Sequence, residues 1–363
     1  GLAGTYDWGH FGVALKNNIK NSWWKKFVDN RRDMYGIDAA ILMRQEVWQN
    51  AGHVANFADP MVECEKCKEK FRTDQLGHPM SKRTSDVLSC PSCGGKLSEA
   101  KQFNMMFQTR VGASEDSSAI SYLRPETAQG IFVNFKNTVD AFHPKLPFGI
   151  AQIGKAFRNE ITPGNFIFRL REFEQMEIEY FIAPPKTKAE WEKIFNYWLK
   201  EMKQWLKLIG VDMKRVKDLE VAKEDRAHYS DRTVDIEFEY PFGRKELYGI
   251  AYRTDYDLVQ HEKHSGRELK YRDTKTEKEF VPHVIEPTFG VERTILALLV
   301  SAYTKEEVKT AKGEKEERVV LRLPSIVAPY KAAILPLSDK PELNRIGEGI
   351  RKELSGEWNV DYD

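Results

Sequence analysis

Apolar side chains recur every four residues at Leu15, Ile19, Trp23 and Phe27, separated by mostly polar positions. That interval keeps them on one side of a helix, so an amphipathic helix is expected over residues 15–28. A strand is expected just after it, in DAAILM from Asp38. The stripe returns at Trp191, Ile194, Trp198, Met202, Trp205 and Ile209, one core-facing side of a helix that Gly210 can end. FNMMFQT and RPETAQGIF, between Phe103 and Val133, read as strand, Pro-Glu turn and helix start. TVDIEFEY (233–240) and ELYGIAY (246–252) read as strands, and VIEPTFGVERTILALLVSAY as strand, tight glycine turn and buried helix. The charged run KTAKGEKEER (309–318) reads as a solvated loop. Past Leu323, IVAPYKAAILPL and ELNRIGEGIRKEL read as the first strand and helix of a further α/β domain that is incomplete here. No internal repeat is visible. Central strands with flanking helices predict an α+β fold, its catalytic domain built on an antiparallel sheet.

Residues 157–181, FRNEITPGNFIFRLREFEQMEIEYF, crowd three arginines and five glutamates among apolar side chains. Thr-Pro-Gly-Asn splits the stretch into two runs, a β-hairpin candidate. On the second run Phe166, Phe168, Leu170, Met176, Ile178 and Tyr180 share one face, and Arg169, Arg171, Phe173, Gln175, Glu177 and Glu179 the other. Glu172 and Glu174 break the alternation, so a bulge or loop end is expected near them. A sheet with one face in water gives a similar pattern.

Composition narrows the possibilities only slightly. The 363 residues suggest two or three domains, and 56 Lys and Arg nearly cancel 55 Asp and Glu, so net charge argues for neither nucleic acid nor membrane. The longest apolar run, Ile295 to Val300, falls far short of the roughly 20 residues that span a bilayer, and no basic-then-apolar leader opens the chain. A cytoplasmic location without membrane contact is expected. The chain starts at Gly1 without methionine and stops at NVDYD, so both ends are expected to be missing.

All four cysteines fall in two Cys-x-x-Cys pairs, Cys64/Cys67 and Cys90/Cys93, with 22 residues between the pairs. Such spacing is a zinc-ribbon signal; two disulfides or free thiols are the alternatives. Four thiolates would close the coordination sphere, making the zinc structural. Lys66, Lys68, Lys70 and Arg72 would permit contact with a polyanion or form a solvated face.

The spacing Phe-Arg-x-Glu, a loop, then Arg-x-x-x-Phe-x-x-x-Glu, met by Phe157, Arg158, Glu160, Arg169, Phe173 and Glu177, resembles motif 2 of class II aminoacyl-tRNA synthetases. GVER (290–293) before an apolar helix is similar to motif 3. Nearly the whole chain, most specifically RPETAQGIFVNFKN, IAQIGKAFRNEITPGNFIFRLREFEQMEIEYF and FVPHVIEPTFGVER, resembles the dimeric glycyl-tRNA synthetase family.

That resemblance implies ATP, glycine and tRNA(Gly) as partners, Mg²⁺ with the ATP, and a homodimer. It implies that Arg158 holds the α-phosphate, Glu160 the adenine amino group, Phe173 the adenine face, Arg169 the outer phosphates, and Arg293 a base or phosphate. Glu126, Glu177 and Glu286 would take glycine's ammonium, with Thr288 where the family usually has serine. Glu246 would help hold magnesium, and Arg253 would approach a substrate carboxylate or phosphate. Glycine has no side chain to grip, so carboxylates around its ammonium are intelligible. Taken singly, Glu126 also fits a helix first turn, Glu286 a surface loop and Arg253 a structural ion pair. The implied division is a catalytic domain over 1–62 and 102–322, with motif 1 near 13–53, motif 2 at 157–181 and motif 3 at 286–300. A zinc ribbon would occupy 63–101, and the beginning of an anticodon-binding domain 323–363. The rivals are another class II specificity (alanine, serine, threonine or proline), a synthetase-like binding protein without activity, and a zinc-ribbon nucleic-acid module.

Overall fold

Seven strands hydrogen-bond into one sheet that frames the protein. The computed structural model describes residues 2–76, 89–113, 119–309, 313 and 315–363. The sheet is built from β1 (Met34–Gly36), β2 (Phe148–Phe157), β3 (Glu172–Ile182), β4 (Val216–Glu220), β5 (Arg232–Tyr240), β6 (Gly243–Thr254) and β7 (His283–Gly290). Their spatial order is β1-β2-β3-β7-β6-β5-β4, antiparallel throughout except that the edge strand β1 runs parallel to β2. The expected α+β class and antiparallel sheet are borne out.

Helices α1 (His10–Trp24), α3 (Lys188–Ile209) and α5 (Val291–Ala302) supply one core, together with Met176, Ile178 and Tyr180 of β3 and Ile285 and Phe289 of β7. The expected stripe on α3 is buried at Trp191, Trp198, Met202, Trp205 and Ile209, but Ile194 is only half-buried and Phe195 takes its place in the core. The helix ends on Gly210 at φ +96°, where a Cβ would come within 2.3 Å of Pro324. Trp205 is fully buried and its indole N–H donates to Ser22 Oγ at 3.2 Å. Trp205→Ala is expected to cost about 3–5 kcal/mol in denaturant unfolding; a loss below about 1 kcal/mol would show that this face is not core.

On the opposite face, α2 (Ala128–Phe142) and α4 (Tyr256–Ser265) cover only part of the sheet, packing on Phe148, Ile150, Phe181 and Val284. Because side chains alternate along a strand, this face of β3 carries Phe181, Glu179, Glu177, Gln175 and Phe173 in turn, and that of β7 carries Val284, Glu286, Thr288 and Gly290. The stripe passes from apolar beneath the helices to acidic and then to open cavity.

Several local expectations need correction. DAAILM is not a strand: β1 precedes it, and only Leu42–Met43 pair, with Leu123 and Tyr122. The carbonyl of Ala39 instead accepts from the Arg124 guanidinium at 2.7 Å. The second arm of the hairpin starts only at Glu172, where the loop end was expected, so Arg169 stands in the connector 158–171 rather than on the strand. Phe166 sits at φ +56°, is 57% exposed and meets the ring of Tyr6, so it does not pack with Phe168 and Leu170. Glu174 is held by Lys16 and Lys20 of α1, which explains a charge on the packed face. Gly290 is extended at φ −89°, so β7 runs into α5 without a tight glycine turn. The run expected as a loop belongs instead to a hairpin of Tyr303–Lys309 and Lys315–Leu321; residues 310–312 and 314 lie outside the described residues. Beyond Leu323, strands Ala332–Ile334 and Val360–Tyr362 pair in parallel around α6 (Pro341–Leu354). No helix among the described residues is long and apolar enough to cross a membrane.

Candidate active site

Two adjoining cavities open on the uncovered part of the sheet and share Arg158, Gln175, Glu246, Gly249 and Thr288. The first, of about 140 Å³, is lined by Arg158, Glu160, Arg169, Phe173, Glu246 and Arg293, bringing together every residue that the sequence assigned to the nucleotide. The Arg158 guanidinium lies 5.3 Å from the ring centres of both Phe57 and Phe173, and its Nε donates to the carbonyl of Pro125 at 3.1 Å. Arg293 lies over Phe168, and its Nη1 reaches Glu246 Oε2 at 3.0 Å. Glu160 Oε2 stands 3.7 Å from Arg169 Nη1 and 3.8 Å from Arg72 Nη1. This wall is cationic and aromatic, which suits a polyphosphate bearing a flat base.

Glu246 reaches the cavity through a β-bulge. The register between β5 and β6 shifts after Ile236, leaving Leu247 unpaired. By plain alternation Glu246 would share the core face of Tyr248. The extra residue turns it to the face of Gly249 instead. Arg293 holds its carboxyl below the ordinary range. Asp235, also on this rim, is pushed up to about 7 by burial and by Glu246 and Glu237.

The second cavity, of about 230 Å³, is lined by Glu126, Glu177, Glu286 and Thr288. Glu177 is 1% exposed and accepts from Thr288 Oγ1 at 2.9 Å and from Thr127 Oγ1. Burial, then the neighbouring Glu126, raises its pKa. Burial also opposes ionisation of Glu126, yet His53, Arg253 and Gln129 hold it well below the ordinary range; His53 Nε2 is 3.2 Å from its Oε1. Burial raises Glu286 well above that range although Arg253 opposes it.

Arg253 does not line either cavity. It is fully buried, with Nε and Nη2 donating to Asp257 at 2.8 Å, Nη1 donating to Glu286 at 2.6 Å, and its plane 3.6 Å from the Tyr229 ring centre. The expected approach to a substrate carboxylate or phosphate is therefore corrected: the guanidinium is engaged by protein carboxylates. Asp257 lies four residues on, where the turn into α4 returns it beneath the strand, and that turn hides the pairing in the sequence. The sequence assigns no role to Gln175, whose buried Oε1 has no hydrogen-bond partner among the described residues, to His53, or to Glu179. The only signal for Gln175 and Glu179 was strand parity with Phe173 and Glu177.

Away from the cavities, the Sγ atoms of Cys64 and Cys93 are 3.5 Å apart and those of Cys67 and Cys90 3.7 Å, and all four lie within 4.8 Å of one another. A disulfide needs about 2.05 Å, whereas four sulfurs around zinc at about 2.3 Å stand about 3.8 Å apart. The four close cysteines could thus bind zinc. Residues 77–88 between the two pairs lie outside the described residues.

The glycine–tRNA ligase of Thermobifida fusca (strain YX) is 47% identical over 376 residues, spanning all of this chain and 80% of that protein. The chain belongs to the glycine–tRNA ligase family. A second member, from Geobacillus thermodenitrificans (strain NG80-2), is 47% identical over 386 residues with the same shares. Residues 110–302 match the tRNA synthetase class II core domain (G, H, P, S and T), which embraces both cavities' candidate residues and leaves the cysteines outside. Among solved structures, Giardia lamblia prolyl-tRNA synthetase in complex with prolyl-adenylate aligns with a TM-score of 0.66 at 14% identity, over 99% of this chain and 59% of that one. At that identity the likeness concerns the fold alone.

Proposed function

We propose that this chain is a glycine–tRNA ligase that activates glycine with ATP to glycyl adenylate and passes the glycyl group to the 3′ end of tRNA(Gly). The observation that carries the assignment is the junction of a cationic, aromatic cavity with an acidic one across Arg158 and Gln175. ATP would lie in the first, with adenine on Phe173, its amino group at Glu160, the α-phosphate at Arg158 and the outer phosphates toward Arg169 and Arg293. Glycine's ammonium would sit among Glu126, Glu177 and Glu286, with Thr288 limiting the room at Cα.

Glycine's carboxylate then attacks the α-phosphorus in line, a phosphorus–oxygen bond forms, and pyrophosphate leaves. The carboxylate is already ionised at neutral pH, so no general base is needed. Positioning and the arginine charges supply the acceleration. Glu246, with Asp235 beside it, offers hard oxygen donors that fit Mg²⁺, which neutralises phosphate charge when bound. Arg253 acts on glycine through the carboxylates it holds.

The chain is further proposed to act in the cytoplasm as a homodimer, with catalytic residues in 1–62 and 102–322 and anticodon-binding residues from 323 onward. Glycine-dependent ATP–pyrophosphate exchange tests the assignment: it is expected to exceed exchange with alanine or serine at least a hundredfold, since bulk at Cα is excluded as well as mispaired. Comparable alanine turnover would refute it.

The insertion at 63–101 is proposed to hold a structural zinc on Cys64, Cys67, Cys90 and Cys93. Backbone N–H groups of Cys67 and Lys66 hold the Cys64 thiol down to about 6, toward the thiolate that zinc requires. Elemental analysis is expected to find one zinc per chain, lost in Cys90→Ser together with protease resistance across 63–101. Undiminished zinc in that variant would sink the site.

A further inference from the structure

Glu179 has no part in the mechanism above, yet it stands directly behind the acidic cavity. It is fully buried, and neither of its carboxyl oxygens has a hydrogen-bond partner among the described residues. An unsatisfied buried carboxyl group is costly, and an ionised one far more so. Carboxyl oxygens of Glu179, Glu177 and Glu286 lie within 4.8 Å of one another.

The surrounding charges do not balance. Glu177 lies on the same strand, Glu286 on β7, Asp257 and His261 on α4, and Glu126 and Gln129 at the start of α2. Against these five buried carboxyl groups stand two buried guanidinium groups, Arg253 on β6 with the Tyr229 ring over it and Arg124, which interacts with Glu177, while Arg158 lines the cavity they face. His53 adds a positive charge only where it is protonated, and its Nε2 faces Glu126. His261 Nε2 donates to Gln129 Oε1 at 2.7 Å, and burial favours its neutral form. With every carboxyl ionised, negative charge on the floor would outnumber these guanidinium groups, and Glu179 would carry its share buried and without a hydrogen bond among the described residues. At least one proton must stay while the cavity lacks a cation.

We propose that Glu179 holds a proton in the substrate-free protein and releases it when the ammonium of the amino acid enters beside Glu177 and Glu286, so that one positive charge replaces another. The inference rests on the assignment of glycine to the acidic cavity. Glu179 is the fitting holder because, of these five carboxyl groups, it is the one without a hydrogen-bond donor among the described residues. Glu177 accepts from two threonine hydroxyls and Glu286 from Arg253, whereas Glu179 feels Arg253 only through space and accepts no hydrogen bond among the described residues. Burial, then Glu286, pushes its carboxyl well above the ordinary range. When the ammonium arrives, the proton passes to solvent buffer, Glu179 becomes a carboxylate, and no other bond changes. Glycine affinity thereby becomes linked to pH, and the empty pocket does not have to sustain the full negative charge that the filled pocket uses.

The test is calorimetric titration of the full chain with 5′-O-(glycylsulfamoyl)adenosine at about pH 6, where an α-amine is fully protonated, in buffers of different ionisation enthalpy. The wild type is expected to release about one proton per analogue bound, and its affinity to rise about tenfold per pH unit while Glu179 titrates. The glycoloyl analogue, with a hydroxyl in place of the ammonium, should release none. Glu179→Gln keeps the shape of the protonated acid and should bind with a proton count near zero and an affinity flat with pH. An unchanged proton count in that variant assigns the proton elsewhere and overturns the proposal. So does a wild type that binds with no release, or one that carries a divalent metal on these carboxylates. Should the variant not fold, the wild-type count and its contrast with the glycoloyl analogue still decide. If the glycyl analogue does not bind and glycine supports no pyrophosphate exchange, the functional assignment falls as well; binding without release leaves that assignment standing.

Discussion

Arg158→Ala is expected to lower kcat for glycine-dependent ATP–pyrophosphate exchange by about 10²- to 10³-fold, the usual cost of removing one preorganised electrostatic contact to the transition state. Among the described residues Arg158 is the arginine that lines both cavities, so in the proposed complex it faces the point where carboxylate and α-phosphate would meet. Phe57 and Phe173 flank its plane, and Pro125 anchors Nε, which leaves the other nitrogens for the ligand. Arg158→Lys should recover little, because an ammonium cannot keep the Pro125 bond and fork onto phosphate at once. Unfolding in urea checks that the variant is intact. A variant that folds normally and exchanges pyrophosphate within a few-fold of wild type would place the chemistry elsewhere.

Glu177→Gln is expected to raise the KM for glycine about tenfold to a hundredfold, with the KM for ATP little changed. The expected size is that of one charged hydrogen bond in a desolvated pocket, about 1.5–3 kcal/mol. Thr288 and Thr127 donate to different carboxyl oxygens, so the amide keeps one acceptor and turns its NH2 to the other hydroxyl, which can rotate to accept; the isosteric side chain should let the pocket hold its shape. It also removes a group whose ionisation burial and Glu126 already oppose, so the protein itself should not lose stability at neutral pH. The sign follows from the raised pKa: the stabilising contribution of the protonated acid fades as pH rises through that value, and the amide has no such loss. Steady-state exchange with glycine and ATP varied separately distinguishes the cases. Equal increases in both KM values would indicate general damage instead of a lost ammonium contact.

Much of this arrangement could be read in the chain because strands and helices repeat simply. The α3 stripe from Trp191 to Ile209 and the shared face of Phe173 and Glu177 follow from periodicity, and both survive in the structure. Glu126, Glu177 and Glu286, far apart in sequence, meet in one cavity as the family resemblance implied. What periodicity cannot carry is an irregularity. Arg169 reaches the cavity from a connector held by the Gly164–Arg169 bridge, and Glu246 faces it only because Leu247 bulges. A register shift between Tyr252 and Thr254 likewise accompanies the burial of Arg253 against Asp257. DAAILM reads as a strand because its apolar residues are consecutive, but the Arg124 side chain takes up the carbonyl of Ala39. Glu179 passed as one more polar position on a strand. Its meaning depends on α2 and α4 closing over that end of the sheet, which no local pattern announces.

The most direct measurement is a crystal structure of the protein with glycine and a non-hydrolysable ATP analogue. The account predicts adenine stacked on Phe173, the α-phosphate within hydrogen-bond reach of Arg158, and the glycine ammonium among Glu126, Glu177 and Glu286. A nucleotide bound off the Phe173 face, or an amine turned away from those three carboxylates, would contradict it.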